Sequence, residues 1–501
     1  MFQKRILLKQ NVQPPRSETM TPHPSAMPCT PELARTMAEV FERQRRHHAA
    51  IRNRTVRERR RQLIRLREAV LDHRETIRAA LWADFRKPPL EVDLTEIAPV
   101  VTEARYVARH LAHWMRPKRV GTALTHLGTR AEIRYEPKGV VLLLSPWNYP
   151  FTLTLAPLVT AIAAGNCVIV KPSEFAPNSA RTIRRIIEEV FDPEEVAVFE
   201  GDHTVAEALL DLPFDHIFFT GSPRVGRLVM EAAARHLASV TLELGGKSPT
   251  VVDETADVEQ AAEKIAWGKF TNAGQTCIAP DYVLVHRSLH DALVAALREQ
   301  IEAFYGPDPE AWRQSDSYAR IVNDRHFERL RHLYEDALAH GAREAIGGPW
   351  IAAERFVPPT VLTQVPDEAA IMQEEIFGPL LPVQVFDHLD EALEAINRRP
   401  KPLALYVFAR DDRRVQHVLN HTSAGGGCVN DTLLHFNHPD LPFGGVGLSG
   451  IGKAYRYHGF LAFSNERPVV YRRFDFPLLR RLYPPYGEQA QRLIDRFLPF
   501  F

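Results

Sequence analysis

The sequence predicts an α/β protein built on a doubly wound parallel sheet. Three observations point there: the middle of the chain holds short, strongly apolar runs, each run ends in glycine or polar residues, and the stretches between them have helical spacing. The runs are GVVLLLSP (139–146), CVIVKPS (167–173), EVAVFEG (195–201), HIFFTG (216–221) and SVTLELGG (239–246). Strands covered on both faces read as continuous apolar runs and not as an alternation. Between them, APNSARTIRRIIEEV and PRVGRLVMEAAARHL carry apolar residues on one helical face. Ligands of such a sheet sit at the carboxyl ends of its strands, and the chemically interesting residues fall there.

The flanking segments read differently. Residues 1–30, with PPRSETMTPHPSAMP, are expected to form a disordered leader. Residues 42–67 are rich in arginine, but Ile51, Leu63, Ile64, Leu66, Val70 and Leu71 supply apolar helical spacing around the charges. A solvated helix face is therefore favoured over a nucleic-acid patch. At the other end, GEQAQRLIDRFLPFF places Leu493, Ile494, Phe497 and Leu498 on one helical face. Docking on its own protein is favoured there over contact with a membrane surface. No run approaches the length of a transmembrane helix.

Bulk properties leave room for an enzyme. The 501 residues exceed one compact core and fit two or three domains. Lys plus Arg and Asp plus Glu are both 62, so no charge bias points to nucleic acid or a membrane. The four cysteines, at 29, 167, 277 and 428, lack CxxC spacing, which argues against a disulfide framework or a metal site. They fit a reducing compartment, and a cytoplasmic location is expected.

Cys277, in NAGQTCIAPDY, lies in a polar, glycine-containing loop, as an accessible nucleophilic sulfur requires. Its plainer reading is an inert core residue. Glu243, in LELGGKSP, ends the last strand of the sheet, where a carboxylate can activate water; an isolated glutamate is otherwise a surface residue. Asn148, in SPWNYPF, follows the first strand, where its amide can donate to an oxyanion, or where it simply forms a turn. TGSPRVGR holds Gly221 and Gly226, which is not a GxGxxG fingerprint but can offer a helix N-terminus to a pyrophosphate. Lys171 and Glu174, in KPSE, follow the second strand, where they can reach an adenosine ribose. A carboxylate facing the 2′-hydroxyl repels a 2′-phosphate, so NAD is favoured over NADP, with Arg224 a nearby cation that softens the preference.

SPWNYPF, KPSE, FTGSPRVG, LELGGKSP, NAGQTC, EEIFGP and LPFGGVGLSG resemble, in order and approximate spacing, the aldehyde dehydrogenase superfamily. The resemblance covers residues 31–470. DLTEIAPVVTEARYVARHLAHWMRPKRVGT, the APDY after Cys277, VNDTLLHF and LYPPY look like its class 3 group, which includes coniferyl-aldehyde and fatty-aldehyde enzymes. SPRVG departs from the STxVG of many relatives. The resemblance implies oxidation of a medium-chain aliphatic or aromatic aldehyde to the acid, through a thiohemiacetal and then a thioester on Cys277. Oxyanion stabilisation falls to Asn148 and the Cys277 backbone N–H, and deacylation to Glu243. For the cofactor, NAD or NADP, it implies Trp147, Lys171, Glu174, Gly221, Ser222, Val225, Glu375 and Phe377. Tyr149 and Tyr106 are candidates for an aromatic substrate wall, with core packing as the alternative.

The implied architecture is the aldehyde dehydrogenase fold. A dinucleotide domain occupies 31–245, interrupted by a hairpin at 119–137, and an α/β catalytic domain occupies 246–428. The hairpin and residues 429–470 form a small β oligomerisation arm of a homodimer, and 471–501 is a tail. Two rival readings remain at this level: a CoA-acylating aldehyde dehydrogenase, which has less need of Glu243, and a non-catalytic protein reusing the fold, which has no need of Cys277, Glu243 or Asn148.

Overall fold

The computed structural model describes residues 27–121, 126, 128–474 and 483–500. Among them, three sheets organise the chain. The first contains all five expected strands: β3 (Val140–Leu144), β4 (Cys167–Lys171), β5 (Val196–Val198), β6 (His216–Gly221) and β7 (Ser239–Leu244). These pair in parallel in the order β7-β6-β3-β4-β5. Helices Thr152–Ala164, Pro177–Val190, His203–Leu210 and Pro223–His236 make the crossovers. Every residue of β3 and β4 is buried, which is why their sequences lack alternation. From β3 the chain winds to β4 and β5, then returns to place β6 on the other side of β3. The strand order reverses between β3 and β6, so a ligand crevice opens past Leu144 and Gly221.

The second sheet begins immediately after the first ends. β8 (Pro249–Val252), β9 (Tyr282–His286), β10 (Arg343–Ile346), β11 (Thr360–Thr363), β12 (Leu380–Phe386), β13 (Ala404–Phe408) and β14 (Gly426–Val429) pair in the order β10-β11-β12-β9-β8-β13-β14. All the pairs are parallel except that of β10 with β11. The third sheet is antiparallel. β1 (Lys118–Val120) and β2 (Thr129–Pro137) form the expected hairpin, and β16 (Ser464–Arg472) pairs with all nine residues of β2.

Residues 429–470 do not return to the arm as one segment. Val429 still belongs to β14, and β15 (Gly450–Ile451) adds antiparallel to β7 with Gly450 opposite Glu243. Helix Arg456–Ala462 packs on helix Thr152–Ala164, so only β16 joins the hairpin, and it runs past 470 to Arg472. Glycines in GGVGLSG allow the β15 excursion: a Cβ on Gly450, where φ is +151°, would meet the Leu242 carbonyl at 2.3 Å.

The termini also differ from expectation. Most of the leader lies outside the described residues, but 27–30 pair with the body: Asp202 N donates to Met27 O (3.2 Å) and Cys29 N to Thr204 Oγ1 (2.7 Å). The arginine-rich stretch forms helices Pro31–Ile51 and Val56–Asp72, the second started by a reciprocal Thr55/Glu58 cap. Leu63, Leu66 and Val70 are buried while Arg57, Arg60, Arg61 and Arg65 face solvent. Arg59 is the exception. It is buried and donates to Ala163 O (3.0 Å), placing a cation at the carboxyl end of helix Thr152–Ala164. In the terminal helix Glu488–Phe497, Leu493 and Ile494 are half-buried and Leu498 is 63% exposed, so the subunit does not seal that apolar face. No described helix is long and apolar enough to cross a membrane.

Candidate active site

Helix Val258–Phe270 ends in a turn over Thr271–Gly274 that carries the chain into the Cys277 loop. Asn272, Ala273 and Gly274 all have positive φ, at 55°, 50° and 73°. Asparagine and glycine adopt this region readily, but alanine does so only when its surroundings impose it. Here they do. Gln275 Nε2 donates to Asn272 O (2.9 Å) and Arg320 O (3.0 Å), and Gln275 Oε1 accepts from Val322 N (3.0 Å). Asn272 Nδ2 donates to Asn148 O (2.9 Å) and Gln275 O (3.2 Å).

Cys277 is half-buried in the wall of a narrow cavity that Glu243 also lines. Burial pushes its thiol up, as do the Glu375 and Glu243 carboxyls, while the backbone N–H groups of Cys277 and Ile278 oppose them. Glu243 is 3% exposed, and neither carboxylate oxygen has a hydrogen-bond partner. Burial holds its carboxyl well above the usual carboxylate range, with Lys453 the opposing charge. Asn148 is buried, and its Nδ2 donates to Gln275 O (3.0 Å), which puts the amide directly on the nucleophile loop.

The crevice between β3 and β6 collects the remaining polar groups. Lys171 ends β4, is 5% exposed, and donates from Nζ to Glu174 Oε2 at 2.7 Å. Gly221 ends β6, and Ser222 caps helix Pro223–His236 by accepting from Val225 N at 3.4 Å. On that helix a Cβ at Gly226 would lie 2.9 Å from Leu244 Cδ2, so glycine lets the helix sit close on β7. Glu375 reaches in from the second sheet, and its carboxyl lies against Gly245, where a Cβ would fall 2.1 Å from Oε2. Its Oε1 is buried without a partner, and burial pushes the carboxyl up to about 8. Phe377, with φ of +49°, packs edge-on to Trp147 at 5.3 Å between ring centroids. Ribose hydroxyls need both donors and acceptors: Lys171 with Glu174, and the orphaned Glu375 oxygen, offer them. The residues present therefore fit a dinucleotide.

The model of the aldehyde dehydrogenase family matches residues 17–469. The chain belongs to that family. It is 46% identical to the 4,4'-diaponeurosporen-aldehyde dehydrogenase of Staphylococcus aureus, over 83% of this chain and 89% of that protein. With human aldehyde dehydrogenase family 3 member B1 it shares 44% identity, over 84% of this chain and 89% of that one. A solved structure described as the substrate-bound state of Staphylococcus aureus AldH superposes with a TM-score of 0.88 at 42% identity, covering 92% of this chain and 99% of that chain. An NAD+ complex of a Bacillus cereus aldehyde dehydrogenase superposes with a TM-score of 0.80 at 28% identity, covering 88% of this chain and 89% of that chain. The protein is thus an oxidoreductase that acts on aldehydes with a nicotinamide dinucleotide.

In this aldehyde dehydrogenase the two aromatic candidates separate. Tyr149 lines the cavity, and its hydroxyl shares a 2.7 Å hydrogen bond with Thr276 Oγ1, beside Cys277. Tyr106 does not reach it. Its ring stacks on His110 at 4.1 Å and near Trp114, one and two helical steps along helix Ala98–Trp114, and its hydroxyl donates to Asp440 Oδ1 (2.6 Å). The apolar wall comes instead from Leu153, Trp267, Ile278, Phe436, Phe443 and Tyr455.

Several site residues escaped the sequence reading. Lys247 Nζ pairs with Asp281 and donates to Ile371 O (2.8 Å) and Glu374 O (3.0 Å), while Asp281 Oδ1 accepts from Ile376 N (2.9 Å); together they tie down the Glu375 loop. His326 packs 5.1 Å from Trp147, and burial, with Arg329 and Arg325, takes its imidazole down to about 3. LELGGKSP and APDY contain Lys247 and Asp281, so those motifs carried the signal; nothing local marks His326. Among the described residues no group of His, Cys, Asp and Glu is arranged to hold a metal ion.

Proposed function

We propose that Cys277 is the nucleophile, Glu243 the deacylating base and Asn148 an oxyanion donor in the oxidation of medium-chain aliphatic or aromatic aldehydes to carboxylic acids. The observation that carries this reading is the meeting of Cys277 and an unpartnered Glu243 in the wall of one apolar cavity. The Cys277 thiol gives up its proton to solvent and its sulfur adds to the aldehyde carbon, forming a carbon–sulfur bond as the carbonyl π bond opens to an oxyanion. The Asn148 amide and the Cys277 backbone N–H donate to that oxygen, where loss of one donor costs about 3 kcal/mol of transition-state stabilisation. When bound, the dinucleotide supplies the two-electron oxidant that turns this adduct into a thioester. Glu243 then takes a proton from water. The water oxygen adds to the acyl carbon, the carbon–sulfur bond breaks, and acid and free thiol are released.

Lys171, Glu174, Gly221, Ser222 and Val225 would hold the adenosine and pyrophosphate end, and Glu375, Phe377 and Trp147 the nicotinamide end. The Glu174 carboxylate beside Lys171 favours NAD over NADP. The hairpin and β16 serve as the arm of a homodimer, and the four free thiols suit a reducing, cytoplasmic setting.

Cofactor reduction with hexanal and benzaldehyde tests the reading. Cys277→Ala is expected to lose turnover while binding NAD with parental affinity. Glu243→Gln is expected to accumulate an acyl adduct on Cys277, detected by mass spectrometry of the quenched enzyme. Parental turnover by Cys277→Ala rules the nucleophile assignment out.

A further inference from the structure

Below the Asn148 loop lies an ion pair that the reaction itself does not use. Lys87 Nζ and Glu96 Oε1 are 2.7 Å apart, and both side chains are 0% exposed. An ion pair removed this far from water is expensive to desolvate and carries little net stability. Its geometry suggests another use. Glu96 Oε2 accepts from the backbone N–H groups of both Phe151 and Thr152 (3.1 Å each), where the Asn148 loop enters its helix. Thr152 Oγ1 returns a hydrogen bond to Thr95 O (2.7 Å). Lys87 Nζ lies 3.8 Å from the centre of the Tyr149 ring, whose hydroxyl meets Thr276 Oγ1. The two charges therefore grip the residues on the C-terminal side of Asn148. Its amide is held from the opposite side by Gln275 O, and its carbonyl by Asn272.

Glu96 is delivered by an unusual backbone. Residues Asp93–Ile97 form a π-helical turn between helices Pro89–Val92 and Ala98–Trp114. Such turns insert one residue into a helix and are concentrated at functional sites. Asp93 anchors the turn on its outer side, between Arg74 and Arg78. Hydrogen bonds from the Arg74 and Arg78 guanidiniums hold its carboxyl down to about 2 against the opposing effect of burial.

The geometry points to Lys87 and Glu96 as positioning residues that fix the Asn148 amide against the Cys277 loop. They touch neither substrate nor cofactor and act through Tyr149, Phe151 and Thr152. This inference rests on the oxyanion role proposed for Asn148, and it assigns the accuracy of that donor to a buried pair more than fifty residues earlier in the chain.

A double-mutant cycle in the full-length enzyme tests it. Lys87→Met/Glu96→Gln removes both charges and keeps a carbonyl facing the two N–H groups. In the parental background kcat is expected to fall about 10- to 100-fold, with KM for aldehyde and for NAD within about threefold, as expected when only transition-state stabilisation is lost. In an Asn148→Ala background the same pair of substitutions is expected to change kcat less than about twofold, because the donor it positions is gone. Losses that multiply in the two backgrounds, or parallel shifts of KM and kcat, overturn the positioning role while leaving the Asn148 assignment intact. Parental kcat in Asn148→Ala alone overturns both. Tyr149→Phe repeats the cycle without disturbing a buried charge, should the first variant fold poorly. It is expected to lower kcat about 3- to 10-fold in the parental background only, and an equal loss in both backgrounds counts against the proposal.

Discussion

At the scale of single residues, the thiol of Cys277 is half-buried in the cavity wall and feels the charges of the Glu375 and Glu243 carboxyls. All three influences favour the neutral sulfur, so the cofactor-free enzyme holds a thiol and not a thiolate. Alkylation of Cys277 by iodoacetamide should therefore climb steadily from about pH 6 to about pH 9 without levelling off, because the thiolate fraction keeps growing across that window. A plateau near neutral pH, read by peptide mass spectrometry, would contradict this. The places of Cys277, Glu243 and Asn148 at a strand end or in a loop were legible because each sits in a distinctive motif. Lys87, Glu96 and His326 were not, because the loop residues they meet, Trp147, Tyr149, Phe151 and Thr152, lie far away in sequence and nothing adjacent to them is distinctive. Of the two readings open for Tyr106, packing holds: an aromatic on a helix can face either way, and here the face shared with His110 and Trp114 decided it.

At the scale of elements, helix Pro223–His236 illustrates how the crevice proposed for the cofactor is seated. Its amino end projects Ser222 into the crevice, and its distance from β7 is set where Gly226 meets Leu244. Gly226→Val should push the helix off the strand, cost about 2 kcal/mol in urea unfolding, and raise KM for NAD more than KM for aldehyde. An unchanged KM for NAD with full loss of stability would mean the helix end does not bear on the cofactor. The strands and helices of this sheet could be read from the sequence because burial on both faces leaves an apolar signature. The π-helical turn at Asp93–Ile97 could not be: its local sequence resembles any amphipathic helix, and the extra residue is stabilised by partners at Arg74, Arg78 and Lys87.

At the scale of the whole molecule, the three-stranded sheet proposed as a dimer arm exposes apolar surface among the described residues. Val470 is 60% exposed and Val120 38% exposed in a sheet that is antiparallel throughout. Sedimentation analysis should give twice the 56.9 kDa chain mass, and Val470→Asp should shift the enzyme toward the monomer, since a charge in an apolar interface is costly. A monomeric parent would remove the basis for that role. The hairpin was visible in the sequence, whereas its third strand lies more than three hundred residues downstream of it. Residues 429–463 were assigned to the arm along with that strand because the sequence gives no sign of a two-residue strand crossing back to β7.

That crossing also bears on the order in which the cavity is assembled during synthesis. Gly450 pairs opposite Glu243, Lys453 tempers its charge, and Phe443 and Tyr455 close the cavity. A ribosome that has completed Cys277 has still to translate about 170 further residues before those groups exist, whereas domains otherwise begin to fold from their amino-terminal side. The nascent chain thus carries the Cys277 sulfur through about a third of the 501 residues before the wall around Glu243 is complete.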